Sequence, residues 1–319
     1  MLRGIFNYDR IMKTENQVNH FINLSGKHRV FRAREKLNQA GLISHITQRA
    51  PGREKIFLEK EDYLTMLWLL KDATERFDLK FHAFCLLSNH THFLLETTMD
   101  NLSKAMHSIF FRYGMRYNRK YQRRGHIFGG AYRQAVCLDN SYFLTASVYI
   151  HLNPVRAGLT EKASDYRWSS CSLYCSSNPP RSFVNPESVL SLIDPDMDMA
   201  RKHYSRLLHK SGDLESDNVL EQETAIEGLV SKLAELFPWL FKKTSKKDLP
   251  STSDSSKILE QPDLEEMIKN IQTWKPRSAE SRQAKKYIVE QLMTRGFKKT
   301  EIAARLGVSR KTVYNILNS

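Results

Sequence analysis

The chain has 319 residues, of which 41% are hydrophobic. This composition excludes wholesale disorder because it supports a buried core, and the length suits about two domains at roughly 100–200 residues each. Lysine and arginine outnumber aspartate and glutamate by 49 to 35, a formal net charge of +14. That excess favours a polyanionic partner, because each neutralised phosphate releases counterions, although ribosome-associated and membrane-surface proteins carry the same excess.

The sequence shows neither an N-terminal signal pattern nor a long apolar run. We therefore expect a soluble intracellular protein with no membrane partner. Of the four cysteines, only Cys171 and Cys175 lie close together, and a second pair that would complete a zinc site is missing. Reduced, packed thiols are the preferred interpretation.

From about residue 39 the chain becomes denser in apolar residues, and their spacing predicts alternating strands and helices. The predicted helix at 141–152 is expected to stop at Asn153, because Pro154 disfavours helical backbone in the residue before it. Since no Gly-rich phosphate loop accompanies the alternation, we expect an α+β fold with a mostly antiparallel sheet. The predicted elements are strands at 42–49, 81–87, 92–96 and 132–137 and helices at 61–77, 102–119 and 141–152.

The composition loosens from about residue 176. Residues 177–180 break the chain with two prolines, residues 211–227 are acidic, and residues 242–256 are rich in Ser, Lys and Asp. We interpret this region as a connector with helices at 186–192 and 225–237. The predicted division is therefore an N-terminal extension at 1–38, a domain at 39–176, a connector at 177–270 and a C-terminal domain at 271–319.

His90 and His92 are the sharpest local feature. Two histidines separated by one residue of a strand point to the same face, because strand side chains alternate with period two. Two imidazoles on one face can chelate a divalent metal. Taken alone, a pair of satisfied strand histidines is the more common explanation.

Tyr149 and Asn153 form a second constellation. At positions i and i+4 of a helix they project from the same face. A tyrosine hydroxyl can act as a covalent nucleophile, and an asparagine carbonyl oxygen suits a hard cation. The alternative is that Tyr149 packs its ring under the sheet while Asn153 caps the helix.

Together these segments resemble a known family. Residues 84–94 resemble the His-hydrophobic-His (HUH) segment of the single-tyrosine, IS200-like transposases, and residues 125–133 resemble the glycine-rich segment of that family. Residues 149–159 resemble its tyrosine helix and exit, and residues 167–170 resemble its usual ending. The similarity spans about residues 42–174 and is strongest to the REP-associated tyrosine transposases.

The resemblance implies a ferredoxin-like (RRM-like) sheet that cuts single-stranded DNA, often next to a hairpin, with Mg²⁺ or Mn²⁺. It assigns His90 and His92 as metal ligands, Tyr149 as the nucleophile and Asn153 as a third, polar ligand. It also implies a 5′-phosphotyrosine intermediate and a cytoplasmic, nucleoid-associated protein. Thr91 departs from the family pattern, which places a bulky apolar residue there; it faces the other side of the strand, so we expect altered packing and retained metal binding.

A basic segment around the 102–119 helix is the expected DNA surface. Tyr113, Tyr117 and Tyr121 recur every fourth residue, which is typical of one packed helical face, so we interpret them as core or base-stacking groups and not as nucleophiles. Arg133 and Arg156 are further candidate DNA contacts. The expected phosphate contacts of the segment are Arg112, Arg116, Arg119, Lys120, Arg123 and Arg124.

Residues 299–316 predict a helix-turn-helix. Gly307 permits the tight turn, Ser309 caps the second helix, and Val313 and Ile316 face inward. A small helical bundle for protein contacts is the alternative. The side chains expected to face duplex DNA are Arg310, Lys311, Thr312 and Asn315.

Three functions remain open at this level. A DNA-cleaving and joining enzyme is the first, because the resemblance retains all four site residues. A sequence-specific DNA-binding regulator with a silent nuclease core is the second, and an RNA-binding or RNA-cleaving protein is the third. The sequence leaves open whether the protein is a monomer or a homodimer.

Overall fold

The computed structural model describes most of the chain in two compact units, one of residues 30–256 and one that contains the C-terminal residues from 257. The acidic stretch after residue 212, the Ser- and Lys-rich stretch after residue 244 and most of the N-terminal extension lie outside the described residues. The described residues are 30–31, 36–38, 40–52, 54–137, 139–212, 225–244, 268, 279–294 and 297–317.

The first unit is built on a five-stranded antiparallel sheet in the order β1-β5-β2-β4-β3. A two-residue turn joins β3 to β4, which pair along their whole length. The strands are β1 (Val30–Phe31), β2 (Ile43–Arg49), β3 (Leu79–Leu87), β4 (His90–Thr97) and β5 (Arg133–Val136).

Two helices complete the predicted ferredoxin-like arrangement, which is confirmed. Helix α1 (Lys60–Phe77) connects β2 to β3, and α2 (Leu102–Lys120) connects β4 to β5. Phe93 of β4 stacks on Phe110 of α2, with ring centroids 6.0 Å apart. The neighbouring side chains of β4 therefore point to the opposite face of the sheet.

That opposite face is covered by α3 (Asn140–Arg156), in which residues 140–154 are all buried. The expected stop at Asn153 is wrong, since the helix continues through Pro154. A proline in a helix removes one backbone donor. The turn that follows stays hydrogen-bonded, because the carbonyls of Asn153 and Pro154 accept from Ala157 and Leu159, each at 2.9 Å. Asn153 and Pro154 themselves are buried.

The described residues at 187–212 and 225–244 form more than the expected connector. Helices α5 (Glu187–Ile193), α6 (Met197–Gly212), α7 (Ala225–Leu236) and α8 (Pro238–Thr244) all pack against α3, after a short α4 (Cys171–Cys175). Tyr204 of α6 and Leu233 of α7 are fully buried. These helices therefore extend the core of the first unit. Helix α6 was not predicted, because its polar side chains and the acidic stretch after it mask the apolar stripe.

The sheet also begins earlier than predicted. Strand β1 pairs with β5, and the buried Leu37 exchanges backbone hydrogen bonds with the side chain of Gln134 at 2.9 and 3.0 Å. Part of the expected N-terminal extension thus belongs to the sheet.

The second unit contains α9 (Ala279–Thr294), α10 (Lys299–Leu306) and α11 (Arg310–Leu317), which contact one another. Gly307 ends α10 with φ +65°, a left-handed conformation that favours glycine. The backbone N–H of Thr312 donates to the Ser309 hydroxyl at 3.0 Å, which is the predicted cap. Val313 is buried and Ile316 only partly so; a DNA-binding role for these helices stays a prediction.

Within the described ranges, no helix combines the length and the apolar character that crossing a membrane requires.

Candidate active site

His90 and His92 lie on the face of the sheet that α3 covers. Their ring centroids are 5.0 Å apart and their planes are nearly perpendicular, at 83°. In the register of β2 and β4, His90 is opposite Arg49 and His92 is opposite Thr47. The strand alternation predicted from sequence therefore places both imidazoles side by side.

Tyr149 meets this pair from α3. Its ring is edge-on to His92, with centroids 5.7 Å apart, and its side chain is only 3% exposed. Both residues belong to the same chain, so the tyrosine helix lies on its own sheet. The structure thus brings together two segments that are about sixty residues apart in sequence.

His45 is a third histidine at this point, and sequence reasoning missed it. Its Nε2 lies 3.0 Å from Nδ1 of His92, and the two rings stack with centroids 5.2 Å apart. Its ring is also 5.8 Å from that of Tyr149. Strand alternation indicates that His45 shares a face with Thr47, but only the pairing of β2 with β4 shows that this is the His92 face.

Asn153 occupies the turn of α3 after Tyr149 and is buried. Its side-chain Nδ2 donates to the carbonyl oxygen of Tyr149 at 2.8 Å. Among the described residues, no hydrogen bond joins Asn153 to the two histidines of β4. Its amide carbonyl is not used in that bond, so a ligand role for Asn153 stays a proposal.

Burial keeps the three imidazoles neutral. It lowers the pKa of His45 to about 4 and the pKa of His92 well below its usual value. Burial, with a smaller contribution from the charge of Arg49, also lowers the pKa of His90 to about 4. Neutral imidazole is the form that ligates a metal.

Burial has the opposite effect on the nucleophile candidate. It raises the pKa of Tyr149 to about 12, while the guanidinium of Arg156 partly opposes the rise. That guanidinium lies 5.7 Å from the centre of the Tyr149 ring. The positive charge of Arg156 therefore favours the deprotonated form of Tyr149 but does not reverse the effect of burial on its pKa.

The residues present fit a divalent ion. Nε2 of His92 is buried and has no hydrogen-bond partner among the described residues, and such an atom is rare in a native structure. Nδ1 of His90 is held by Oδ1 of Asn89 at 2.6 Å, which directs its Nε2 away from that contact. Rings 5.0 Å apart can share one ion at metal–nitrogen distances of about 2.0–2.1 Å. The described residues contain no cluster of three or more His, Cys, Asp or Glu that could hold a metal, so further ligands would be amide or water oxygens.

Several cations of α2 and of the residues that follow it are less available for DNA contacts than the sequence suggested, because they pair with carboxylates. Arg112 pairs with Asp72, and Lys120 pairs with Asp62 and Glu59 at 2.9 and 3.0 Å. Arg123 pairs with Glu54 at 2.6 Å. Arg116 stacks on Trp68, with its guanidinium 4.6 Å from the ring centre. All of these residues lie on the side of the sheet opposite Tyr149. Arg119 and Arg124 are exposed.

Two arginines instead reach the histidine face through the strands. Arg133 of β5 is opposite Thr47 of β2, and Arg49 is opposite His90. Both are partly buried. Arg133 was a predicted DNA contact, whereas Arg49 was missed because its face depends on the register of β2.

The competing tyrosines serve the fold. Tyr113 donates to the carbonyl of Ile56, Tyr117 donates to the carbonyl of Lys55 at 3.1 Å, and Tyr121 donates to Asp62. They lie on the face of the sheet that α1 and α2 cover, and the sheet separates them from His92.

Thr91 is fully buried on the face of the sheet that α1 and α2 cover. Its hydroxyl finds no hydrogen-bond partner within the described ranges. The threonine therefore places a buried polar atom where the family has an apolar side chain. That atom lies on the face of the sheet opposite the imidazoles of His90 and His92.

Residues 38–153 match the family described as "Transposase IS200 like". The match ends at Asn153 and so contains both histidines of β4 and Tyr149, while α4 to α8 follow it. A solved structure of a REP-associated tyrosine transposase bound to a REP hairpin is similar at a TM-score of 0.38 and 16% identity, over 44% of this chain and 81% of that one. No curated protein matches the chain.

The second unit presents its expected DNA-facing residues to solvent. All four are exposed on α11 or at its start. They are Arg310, Lys311, Thr312 and Asn315.

Proposed function

We propose that this protein is a transposase that cleaves and rejoins single-stranded DNA through a covalent link to Tyr149. The observation that carries the proposal is the approach of the Tyr149 ring to His92, at 5.7 Å, on one face of one sheet. A core that kept the histidines without the tyrosine, or placed the tyrosine elsewhere, would favour a DNA-binding regulator.

His90 and His92 would hold the divalent ion, Mg²⁺ or Mn²⁺, and Asn153 could add its amide oxygen. A bound ion of this kind neutralises charge that develops on the scissile phosphate. Because the ligands are neutral imidazoles and an amide, the ion keeps its full double charge for that purpose. Arg49 and Arg133 flank the same face and are proposed phosphate contacts.

The covalent step uses Tyr149. Its hydroxyl oxygen forms a bond to the scissile phosphorus, the bond from phosphorus to the 3′ oxygen of the leaving strand breaks, and the proton lost by tyrosine is matched by one gained by that oxygen. The products are a 5′-phosphotyrosine and a free 3′-hydroxyl. Attack by another 3′-hydroxyl reverses the step and joins a new strand without ATP.

The proposed substrate is single-stranded DNA next to a hairpin or palindrome, and this rests on the sequence resemblance of residues 84–94 and 149–159. We infer that Tyr149 acts in its own chain, because α3 is enclosed by helices of that chain. We further propose that α10 and α11 bind duplex DNA through the exposed side chains of α11, as a helix-turn-helix. Arg116, Arg119 and Arg124 remain proposed phosphate contacts away from the active site.

The test is a covalent-adduct assay. The full chain is incubated with labelled hairpin-flanked single-stranded DNA and Mn²⁺, and denaturing gels report a protein–DNA adduct. Tyr149→Phe should abolish the adduct, whereas Tyr117→Phe, which removes a hydroxyl on the opposite face, should retain it. An adduct that survives in Tyr149→Phe would assign another nucleophile.

Wild-type protein that forms no adduct on any such DNA, yet binds duplex DNA tightly, would favour the regulator. Cleavage of matched RNA in place of DNA would favour the RNA-cleaving alternative.

A further inference from the structure

We propose that His45 is a positioning residue for His92: it accepts a hydrogen bond from Nδ1 of His92 and thereby leaves the Nε2 lone pair of His92 free. The inference rests on the proposed function, since it concerns His92 as a metal ligand. His45 lies in β2, and neither strand alternation nor the His90-Thr91-His92 motif assigns it a role.

The two rings are held in a defined arrangement. His45 Nε2 and His92 Nδ1 are 3.0 Å apart, within normal hydrogen-bond distance. The rings are nearly parallel, at 21°, and both side chains are more than nine-tenths buried. Neighbouring positions on paired strands make this contact a consequence of sheet register.

Hydrogen-bond accounting decides the direction of the bond. A neutral imidazole carries one N–H, so either His92 or His45 is the donor. If His45 donated, the proton of His92 would be on Nε2, and that buried N–H would have no acceptor among the described residues. A buried donor without an acceptor is costly and rare. If His92 donates, its Nε2 carries only a lone pair, which is the atom and the state that a metal uses.

The contact also has a chemical consequence. Metal-ligating histidines commonly donate their second N–H to a carboxylate or a carbonyl, which fixes the ring and makes it a better ligand. Here the acceptor is an uncharged ring that also contacts Tyr149, with centroids 5.8 Å apart. One residue therefore sets both the orientation of His92 and its position relative to the nucleophile, without adding negative charge beside the phosphate.

Thr47 is the competing partner. Its Oγ1 lies 3.3 Å from the same Nδ1 of His92. The contact is longer than that of His45, and the threonine is only partly buried. A Thr47→Val variant separates the two candidates, because it removes the hydroxyl and keeps the shape.

The first measurement records the side-chain ¹⁵N shifts of His92 in the metal-free full chain. Wild type should carry its proton on Nδ1. His45→Phe, which keeps an aromatic ring but no acceptor, should lose that fixed tautomer; His45→Gln, whose carbonyl can accept, should restore it. Thr47→Val should leave it unchanged.

The second measurement is the affinity for Mn²⁺ alone. His45→Phe should weaken it by about 10–100-fold, the range seen when an orienting partner is removed, while His45→Gln and Thr47→Val should remain within a few-fold of wild type. A proton on Nε2 of His92 in wild type would overturn the proposal. An unchanged His92 tautomer in His45→Phe would also overturn it, as would loss of the Nδ1 proton in Thr47→Val alone.

The two proposals fail in different ways. Wild type that binds no Mn²⁺ but keeps the Nδ1 proton would refute the metal site and leave the His45 contact established. If His45→Phe does not fold, the wild-type tautomer and the Thr47→Val variant still decide the question, because Thr47→Val leaves His45 as the remaining partner of Nδ1 of His92.

Discussion

Tyr204→Phe tests whether the helices beyond the family match hold the tyrosine helix in place. The Tyr204 hydroxyl lies 2.7 Å from Nδ1 of His151 and donates to the hydroxyl of Ser147 at 3.0 Å. Nε2 of His151 lies 2.8 Å from the hydroxyl of Ser170, which accepts from the backbone N–H of Phe84. The chain of bonds thus connects α6 to α3 and α3 to β3, entirely within the core.

The expected cost follows from that accounting. Removing one hydroxyl leaves a buried nitrogen of His151 without its partner, which costs about 1–3 kcal/mol. For a domain of this size, each kcal/mol lowers the melting temperature by roughly 2–4 °C. Tyr204→Phe should therefore melt several degrees below wild type, and its urea midpoint should fall by the amount that corresponds to the same loss of free energy.

Tyr117→Phe is the matched control. It makes the same chemical change, but the carbonyl of Lys55 that it releases belongs to an exposed residue that water can reach. We expect a loss smaller than that of Tyr204→Phe. A Tyr204→Phe protein within about 0.5 kcal/mol of wild type would refute the reasoning and show that α6 is not part of the cooperative core.

Two further predictions concern stability. Burial lowers the pKa of His82 to about 4, below its ordinary 6.5, so between those values the unfolded chain binds a proton that the folded chain does not. The free energy of unfolding should be highest above pH 6.5 and fall toward pH 4. In His82→Phe, the slope of that free energy against pH, taken from urea melts, should be smaller by up to about 1.4 kcal/mol per pH unit. An identical slope in the variant would contradict this. A Cβ on Gly129 would meet backbone atoms of Pro51 at 3.0 Å, so Gly129→Ala should destabilise by about 1–3 kcal/mol. Gly114→Ala, in the middle of α2 with only a 3.8 Å contact, should stabilise by about 0.5–1 kcal/mol in the same thermal melts, and equal shifts in both would refute the packing argument.

The sequence by itself determined the local part of the site. His90 and His92 share a face because strand side chains alternate, and Tyr149 and Asn153 share a face because a helix repeats every 3.6 residues. Both statements depend only on the backbone geometry of one element, so they needed no tertiary information. The same holds for the α+β class, which follows from apolar spacing, and for the Ser309 cap.

Only the tertiary structure decided which elements meet. His45 reaches His92 through the register of β2 against β4, and the carboxylates that neutralise Arg112 and Lys120 belong largely to α1. The helices after residue 186 pack against α3, and α3 continues through Pro154 although proline alone predicts a stop. In each case the partner is distant in sequence, and its contribution depends on a pairing or packing geometry that no local pattern encodes.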